Sequence, residues 1–173
     1  MDERLAAVAD LAGDGLVGES ETIRRVAALV QRLLAIDITI VSEITADDRY
    51  LFRAIETAVE LPIEEGAHIP YTWSLCSRIH AGEAGAATAD TRENTGLSRN
   101  WARLKDGLGV DWDILAFMTT DVPLPDGGRF GTLCVHHTST REWTTDERAV
   151  LVNAARLYAR RHGELGQAVL VGD

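Results

Sequence analysis

Apolar residues recur along this chain with two different periods, and the changes of period mark its elements. Ile23, Val26, Ala27, Val30, Leu33 and Leu34 repeat at three- and four-residue spacing behind Ser20, a good capping residue. That pattern predicts an amphipathic helix of about four turns. The period then falls to two. Ile38, Ile40 and Ile44 alternate with Thr39, Val41 and Glu43. Residues 50–56 alternate again, with Leu51, Arg53 and Ile55 on one side and Tyr50, Phe52 and Ala54 on the other. The polar Ala46-Asp47-Asp48 between the two runs makes them an antiparallel hairpin.

Pro62 and Pro70 bracket an expected loop over 61–71. Leu75 and Ile79 mark a short helix that Gly82 and Gly85 end, and 86–89 is a short strand of small residues. Leu97, Trp101 and Leu104 predict a further helix, halted by Gly107 and Gly109. The clearest strand pair is 112–122 and 130–137, joined by a Pro- and Gly-rich turn. Thr144 and Glu147 form a capping box that opens the last helix, whose apolar face is Val150, Leu151, Ala154, Leu157 and Tyr158. Gly163 and Gly166 weaken anything beyond it. At the other end, Leu5, Val8 and Leu11 predict a short helix broken by Gly13, Gly15 and Gly18. The expected organisation is an N-terminal segment (1–19), one domain (20–162) and a tail or linker (163–173). Hairpins with helices grouped at the chain ends imply an α+β fold. Its terminal helices pack on one face of an antiparallel sheet, and its middle helices and loops cover the other.

The 173 residues suffice for one core without a disulfide or structural metal. The net charge of −10 and isoelectric point near 4.9 disfavour nucleic acid and anionic membrane as partners of the bulk surface. No apolar run reaches the ~20 residues of a membrane span, and the first residues do not read as a signal peptide. The expected location is the cytoplasm. Cys76 and Cys134 lie in no Cys-x-x-Cys pair and are expected to be free, buried thiols.

Three stretches together resemble the GAF domains of bacterial signalling proteins. They are Tyr71-Thr72-Trp73-Ser74-Leu75-Cys76 running on to His80, then Thr88-Ala89-Asp90-Thr91, then Val122-Pro123-Leu124-Pro125-Asp126-Gly127-Gly128 with Gly131-Thr132-Leu133-Cys134-Val135. The segment from Arg141 to Glu147 is similar to the family's closing capped helix. Within the third stretch, Gly131 stands inside a strand, where a missing side chain signals a close backbone approach or a bulge.

The resemblance implies a small-molecule pocket between the sheet and the segments 61–91 and 91–110. The candidate ligand contacts there are Tyr71, Trp73, Cys76, His80, Asp90 and Trp101, with Asn100 nearby. Aromatic rings with a few polar groups suit a mostly apolar pocket. The implied function is a ligand-sensing regulatory domain that acts on a partner or signalling effector. No catalytic residue, metal ligand or cofactor is assigned, and the ligand is unidentified.

Two readings compete with it. One is a thiol-dependent enzyme resembling the free methionine sulfoxide reductases, in which Cys76 would be activated by His80 four residues on. The other is a ligand-free dimerisation module. Covalent bilin attachment lacks a cysteine between Asp90 and Val122. Haem would need one of His68, His80, His136, His137 or His162, and a single histidine offers no spacing to test. His136 and His137 point to opposite faces of a strand. For cyclic nucleotides there is no phosphate-cradling glycine loop. A homodimer through 20–35 and 144–161 is expected, because Leu29, Ala149, Leu151 and Ala155 widen the apolar faces of both helices.

Overall fold

The alternating segments pair into one six-stranded antiparallel sheet. Its strands are β1 (Ile38–Ile44), β2 (Arg49–Thr57), β3 (His68–Pro70), β4 (Ala87–Thr88), β5 (Ala116–Pro123) and β6 (Arg129–His137), in the order β3-β2-β1-β6-β5-β4. The computed structural model describes residues 19–170, so the expected helix through Leu5, Val8 and Leu11 lies outside the described residues. The helices are α1 (Glu19–Leu34), α2 (Leu75–His80), α3 (Thr95–Leu108) and α4 (Thr145–Leu170), with 3-10 turns at Tyr71–Trp73 and Thr91–Glu93. The α+β architecture is the expected one.

The sheet separates two cores. On one face α1 and α4 pack together over Val41, Met118, Leu133 and Val135, contributing Ile23, Val26, Val30, Leu34, Leu151 and Tyr158. The capping box forms as its spacing predicts. Thr144 Oγ1 accepts from the Glu147 amide at 3.2 Å, and Glu147 Oε2 accepts from the Thr144 amide at 2.8 Å. On the opposite face α2 and α3 close over Ile38, Ile40, Tyr50, Phe52, Phe117 and Cys134. Ser74 caps α2 through Ser77 N, and Asn94 caps α3 through Leu97 N.

The structure departs from simple alternation in β2. Val41 pairs with Ala54 but Ser42 pairs with Phe52, which leaves Arg53 as the extra residue of a bulge. The bulge exchanges the two faces. Tyr50 and Phe52 belong to the α2/α3 core and Ile55 packs with them, whereas Ala54 joins the α1/α4 core. The grouping of Tyr50, Phe52 and Ala54 on one side is therefore corrected. The expected loop over 61–71 contains β3, whose Ile69 pairs with Tyr50. A three-residue edge strand ending in proline carries almost no sequence signal. β5 begins at Ala116 rather than at residue 112. Trp112 instead stacks on Trp101 at 5.4 Å, and Asp113 binds Trp101 Nε1 and Lys105 Nζ, so both side chains face α3.

α4 continues through Gly163 and Gly166 to Leu170. An interior glycine costs a helix only about 1 kcal/mol, which surrounding packing can offset. Gly163 lies so close to the Pro125 ring that a β-carbon there would sit 3.1 Å from it. The apolar width of the terminal helices is also largely consumed within the monomer. Leu29 is buried against Leu157 and Leu33, and Leu151 and Ala155 lie in the α1/α4 core, leaving Ala149 exposed.

Candidate functional site

Between the sheet and α2/α3 lies a cavity of about 50 Å³. Its floor is Ile38 and Ile40 from β1, Tyr50 and Phe52 from β2, and His136 from β6. Its roof is Leu75 and Cys76 from α2 and Trp101, Leu104 and Leu108 from α3. Leu61, Ile63, Ile69, Ser74 and Ile114 complete the wall. Among the described residues that line it there is no Asp, Glu, Lys or Arg.

His136 is 6% exposed and stacks on Phe117 at 5.1 Å. Burial brings its pKa down to about 3, and the Ile38 backbone offsets this only weakly. The imidazole is thus neutral, and its buried Nδ1 makes no well-formed hydrogen bond. An unsatisfied buried polar atom is costly unless something binds to it.

Beside the cavity the two cysteines meet, with sulfurs 3.0 Å apart and both thiols free. Three hydroxyls surround them. Tyr50 lies 3.2 Å from Cys76 and 3.3 Å from Cys134, while Thr119 and Thr132 each lie 3.5 Å from Cys76 and 3.2 Å from Cys134. Burial opposes ionisation of Cys76. Hydrogen bonds from Cys134, Tyr50, Thr119 and Thr132 outweigh it and hold this thiol below the ordinary thiol range. Burial pushes Cys134 and the Tyr50 phenol up.

A third cluster sits apart from the cavity. His80 Nδ1 meets the Tyr71 hydroxyl, and His80 Nε2 lies 2.7 Å from Asp121 Oδ1. Arg129 Nε binds the other oxygen of Asp121 at 2.9 Å. Burial raises the Asp121 carboxyl, but His80 and Arg129 more than compensate and hold it below the usual carboxylate range.

Of the six candidate contacts, Cys76 and Trp101 line the cavity. Tyr71 and His80 belong to the Asp121 cluster. Trp73 is 37% exposed beneath the Arg103 guanidinium, 5.3 Å from its ring centre. Asp90 caps the 3-10 turn through Arg92 N and pairs with the Arg92 side chain. The thiol of Cys76 contacts Cys134 and the hydroxyls, while His80 is engaged with Tyr71 and Asp121. Among the described residues no group of three or more His, Cys, Asp and Glu side chains could hold a metal ion. Sequence reasoning missed Tyr50, Phe52, Ile38, Ile40 and Ile114, and it did not bring Cys134 to Cys76. The alternation of the first hairpin was the one signal that could have placed Tyr50 and Phe52.

Asn100, 1% exposed, ties the roof together. Its Nδ2 donates to the carbonyls of Thr72 (3.0 Å) and Ser74 (2.8 Å), and its Oδ1 accepts from Arg78 NH2 at 3.0 Å. Asn100→Ala leaves the two carbonyls to share the single hydroxyl of Ser77, 2.7 Å from Ser74 O and 3.3 Å from Thr72 O, and removes an acceptor of Arg78, so it is expected to cost about 2 kcal/mol. Urea unfolding checks this, and a loss under about 0.5 kcal/mol would show that the roof does not depend on these bonds.

An antiparallel sheet with paired terminal helices on one face and a helix-roofed cavity on the other is the architecture of GAF domains. The chain belongs to that family, whose model (GAF domain) matches residues 19–161. The GAF domain of an Acinetobacter phosphoenolpyruvate-protein phosphotransferase superposes with a TM-score of 0.71 at 14% identity, over 99% of this chain and 95% of that one. The phycocyanobilin-bound GAF domain of a cyanobacterial phytochrome gives 0.73 at 12% identity, over 93% and 94%. The chromophore-binding domain of an unusual bacteriophytochrome from R. palustris gives 0.72 at 14% identity, and this chain covers 95% of itself but only 61% of that chain. At these identities the likeness is one of fold. No curated protein sequence matches this chain significantly. Among the described residues no helix is long and apolar enough to cross a membrane.

Proposed function

We propose that this chain is a regulatory sensor domain that binds a small, uncharged, mostly apolar molecule in the cavity roofed by α2 and α3. It acts by occupancy rather than turnover, and the outer sides of α1 and α4 face its partner or effector. The observation that carries this reading is the mostly apolar cavity whose lining includes the neutral, buried ring of His136, with its Nδ1 unpaired. Apolar walls supply affinity and a few polar groups supply orientation, with Ser74 and Tyr50 already engaged elsewhere and His136 left for a ligand. The phytochrome relatives extend the likeness to sensory proteins, and one of them is phycocyanobilin-bound. For this chain a smaller ligand fits the space between the sheet and the roof. The cavity of about 50 Å³ is several times the ~10–15 Å³ that one water requires and far below the ~300–1,000 Å³ of drug-sized sites.

Pyrrole is a suitable probe, since it is neutral, has five ring atoms and carries one N–H donor. Furan is the same shape without the donor. Pyrrole is expected to shift the Trp101 indole N–H resonance, which is held by Asp113 at 3.0 Å. It should bind about tenfold more tightly than furan, the value of one hydrogen bond to His136. Saturation at ~100 times the dissociation constant should stabilise the fold by about 2.7 kcal/mol. If neither molecule moves the Trp101 resonance at millimolar concentration, the cavity is packing space and the sensor reading fails. Native mass spectrometry of protein purified from its own host then reports any natural occupant.

A further inference from the structure

Cys76 lies in the first turn of a short helix and Cys134 sits mid-strand, 58 residues apart in sequence, yet their sulfurs lie 3.0 Å apart. Both are nearly inaccessible, at 2% and 1% exposure. Two thiols in contact sit inside a ring of three hydroxyls, and these five groups bond largely to one another, with Thr119 also donating to the Leu133 carbonyl at 3.4 Å. We propose that Cys76 and Cys134 are a redox-active dithiol, which a small uncharged hydroperoxide entering the apolar cavity oxidises to a disulfide. The proposal deepens the sensor reading by naming a substrate class for the same cavity, and it borrows from that reading only the route of entry.

The geometry sets the order of events. Cys76 lines the cavity, and Cys134 stands behind it on β6. The Cys76 thiolate attacks the outer oxygen of the hydroperoxide ROOH. The O–O bond breaks, the leaving alkoxide takes up a proton to become the alcohol, and Cys76 becomes a sulfenic acid. The Cys134 sulfur then attacks the Cys76 sulfur, and the hydroxide of the sulfenic acid departs with the Cys134 proton as water. Two thiols and one hydroperoxide give one disulfide, one alcohol and one water. The sulfurs must approach by about 1 Å to reach bonding distance, a small movement for a side chain in the first turn of a six-residue helix. Thr119, Thr132 and Tyr50 can donate to the thiolate before the attack. The hydrogen bonds that favour ionisation of Cys76 and the burial that opposes it at Cys134 fit the same order. Uncharged walls select an uncharged oxidant. The product ties α2 to β6 and removes two hydrogens from the hydroxyl cluster, so the wall of the cavity changes with oxidation state.

The test uses the full chain with tert-butyl hydroperoxide, and with hydrogen peroxide in parallel. Intact-mass spectrometry should show a loss of about 2 Da, reversed by dithiothreitol, with one Cys76–Cys134 disulfide on peptide mapping. Cys134→Ser should stop at a sulfenic acid on Cys76 that dimedone traps. Cys76→Ser should react at least ten times more slowly than the wild type. Leu104→Trp, which fills the cavity from α3, should slow the wild-type reaction by a similar factor. A native chain that keeps both thiols while the urea-unfolded chain is oxidised overturns the proposal, whatever the pyrrole titration gives. Should pyrrole fail to bind while the disulfide still forms, ligand sensing falls and the dithiol stands.

Discussion

Gly131→Ala is expected to destabilise the domain by about 3 kcal/mol or more, at the top of the range for overpacking. Gly131 pairs with Glu43 in the β1–β6 ladder and with Val122 in the β5–β6 ladder. A β-carbon built there lies 1.8 Å from the carbonyl oxygen of Ser42 and 2.8 Å from the Glu43 α-carbon. These are backbone atoms of a central strand, so no side chain can swing aside. The strands must separate, at the point where the β2 bulge and the β5–β6 register shift already concentrate irregularity. The thermal midpoint should fall by roughly 10 °C. Gly107→Ala is the control, because its β-carbon meets nothing within 4 Å and α3 should gain up to about 1 kcal/mol. A Gly131→Ala loss under about 1 kcal/mol in urea unfolding would mean the close approach does not exist.

The second large effect is acid destabilisation through His136. Its pKa is about 3 in the folded protein against 6.5 for the free side chain. The folded state therefore demands the neutral ring while the unfolded state does not. Its contribution is complete above pH 6.5 and is lost as pH falls toward 3, with a slope approaching ~1.4 kcal/mol per pH unit. Roughly 2 kcal/mol should disappear between pH 6.5 and 4.5. Asp37 and Asp121 act in a lower window. Burial raises both carboxyls, but Thr138 and His137 around Asp37, and His80 and Arg129 around Asp121, bring them below the ordinary carboxylate range. Stability from these groups is present above the unfolded carboxylate pKa near 3.8 and is lost below it. Urea titrations at pH 7.5 and 4.5 separate the two, since His136→Gln should flatten the slope between those values. Identical slopes for the variant and the wild type would show that His136 is not the group that titrates.

The period of 3.6 gave the terminal helices because each meets water on one side and a core on the other. The sheet has a core on both faces, so β1 and β6 are buried almost throughout, and the hairpins were legible from apolar runs bounded by polar turns, with a burial alternation only in β2. What it could not report is the Arg53 bulge, since a single extra residue leaves the alternation of Tyr50 and Phe52 intact and only reassigns Ala54 and Ile55. β3 was hidden because its pairing is all that distinguishes it from a loop. The candidate site was legible as a region more than as residues. Cys76 and Trp101 reach the cavity, while Trp73 and Asp90 carry the same residue types but find local partners in Arg103 and Arg92. The contact of Cys76 with Cys134 depends on α2 lying across β6, a long-range fact that no spacing encodes. His136 was visible as a histidine, but its lost charge follows from burial under Phe117 and the cavity wall.

β6 serves both sides of the molecule with consecutive residues. Leu133 and Val135 press on the terminal helices, and Cys134 and His136 face the cavity or the residues around it. β1 does the same with Ile40 and Val41. The sheet is in this sense a diaphragm one backbone thick, stretched between a small chamber and a pair of long struts. Sideways displacement of Cys134 is a displacement of the peptide units that also carry Leu133 and Val135. A mechanical signal crossing this membrane of strands needs no hinge and no lever. Its stroke is set by how far a packed sheet can bow, which is a fraction of an ångström for neighbours as tightly seated as Gly131 and Ser42.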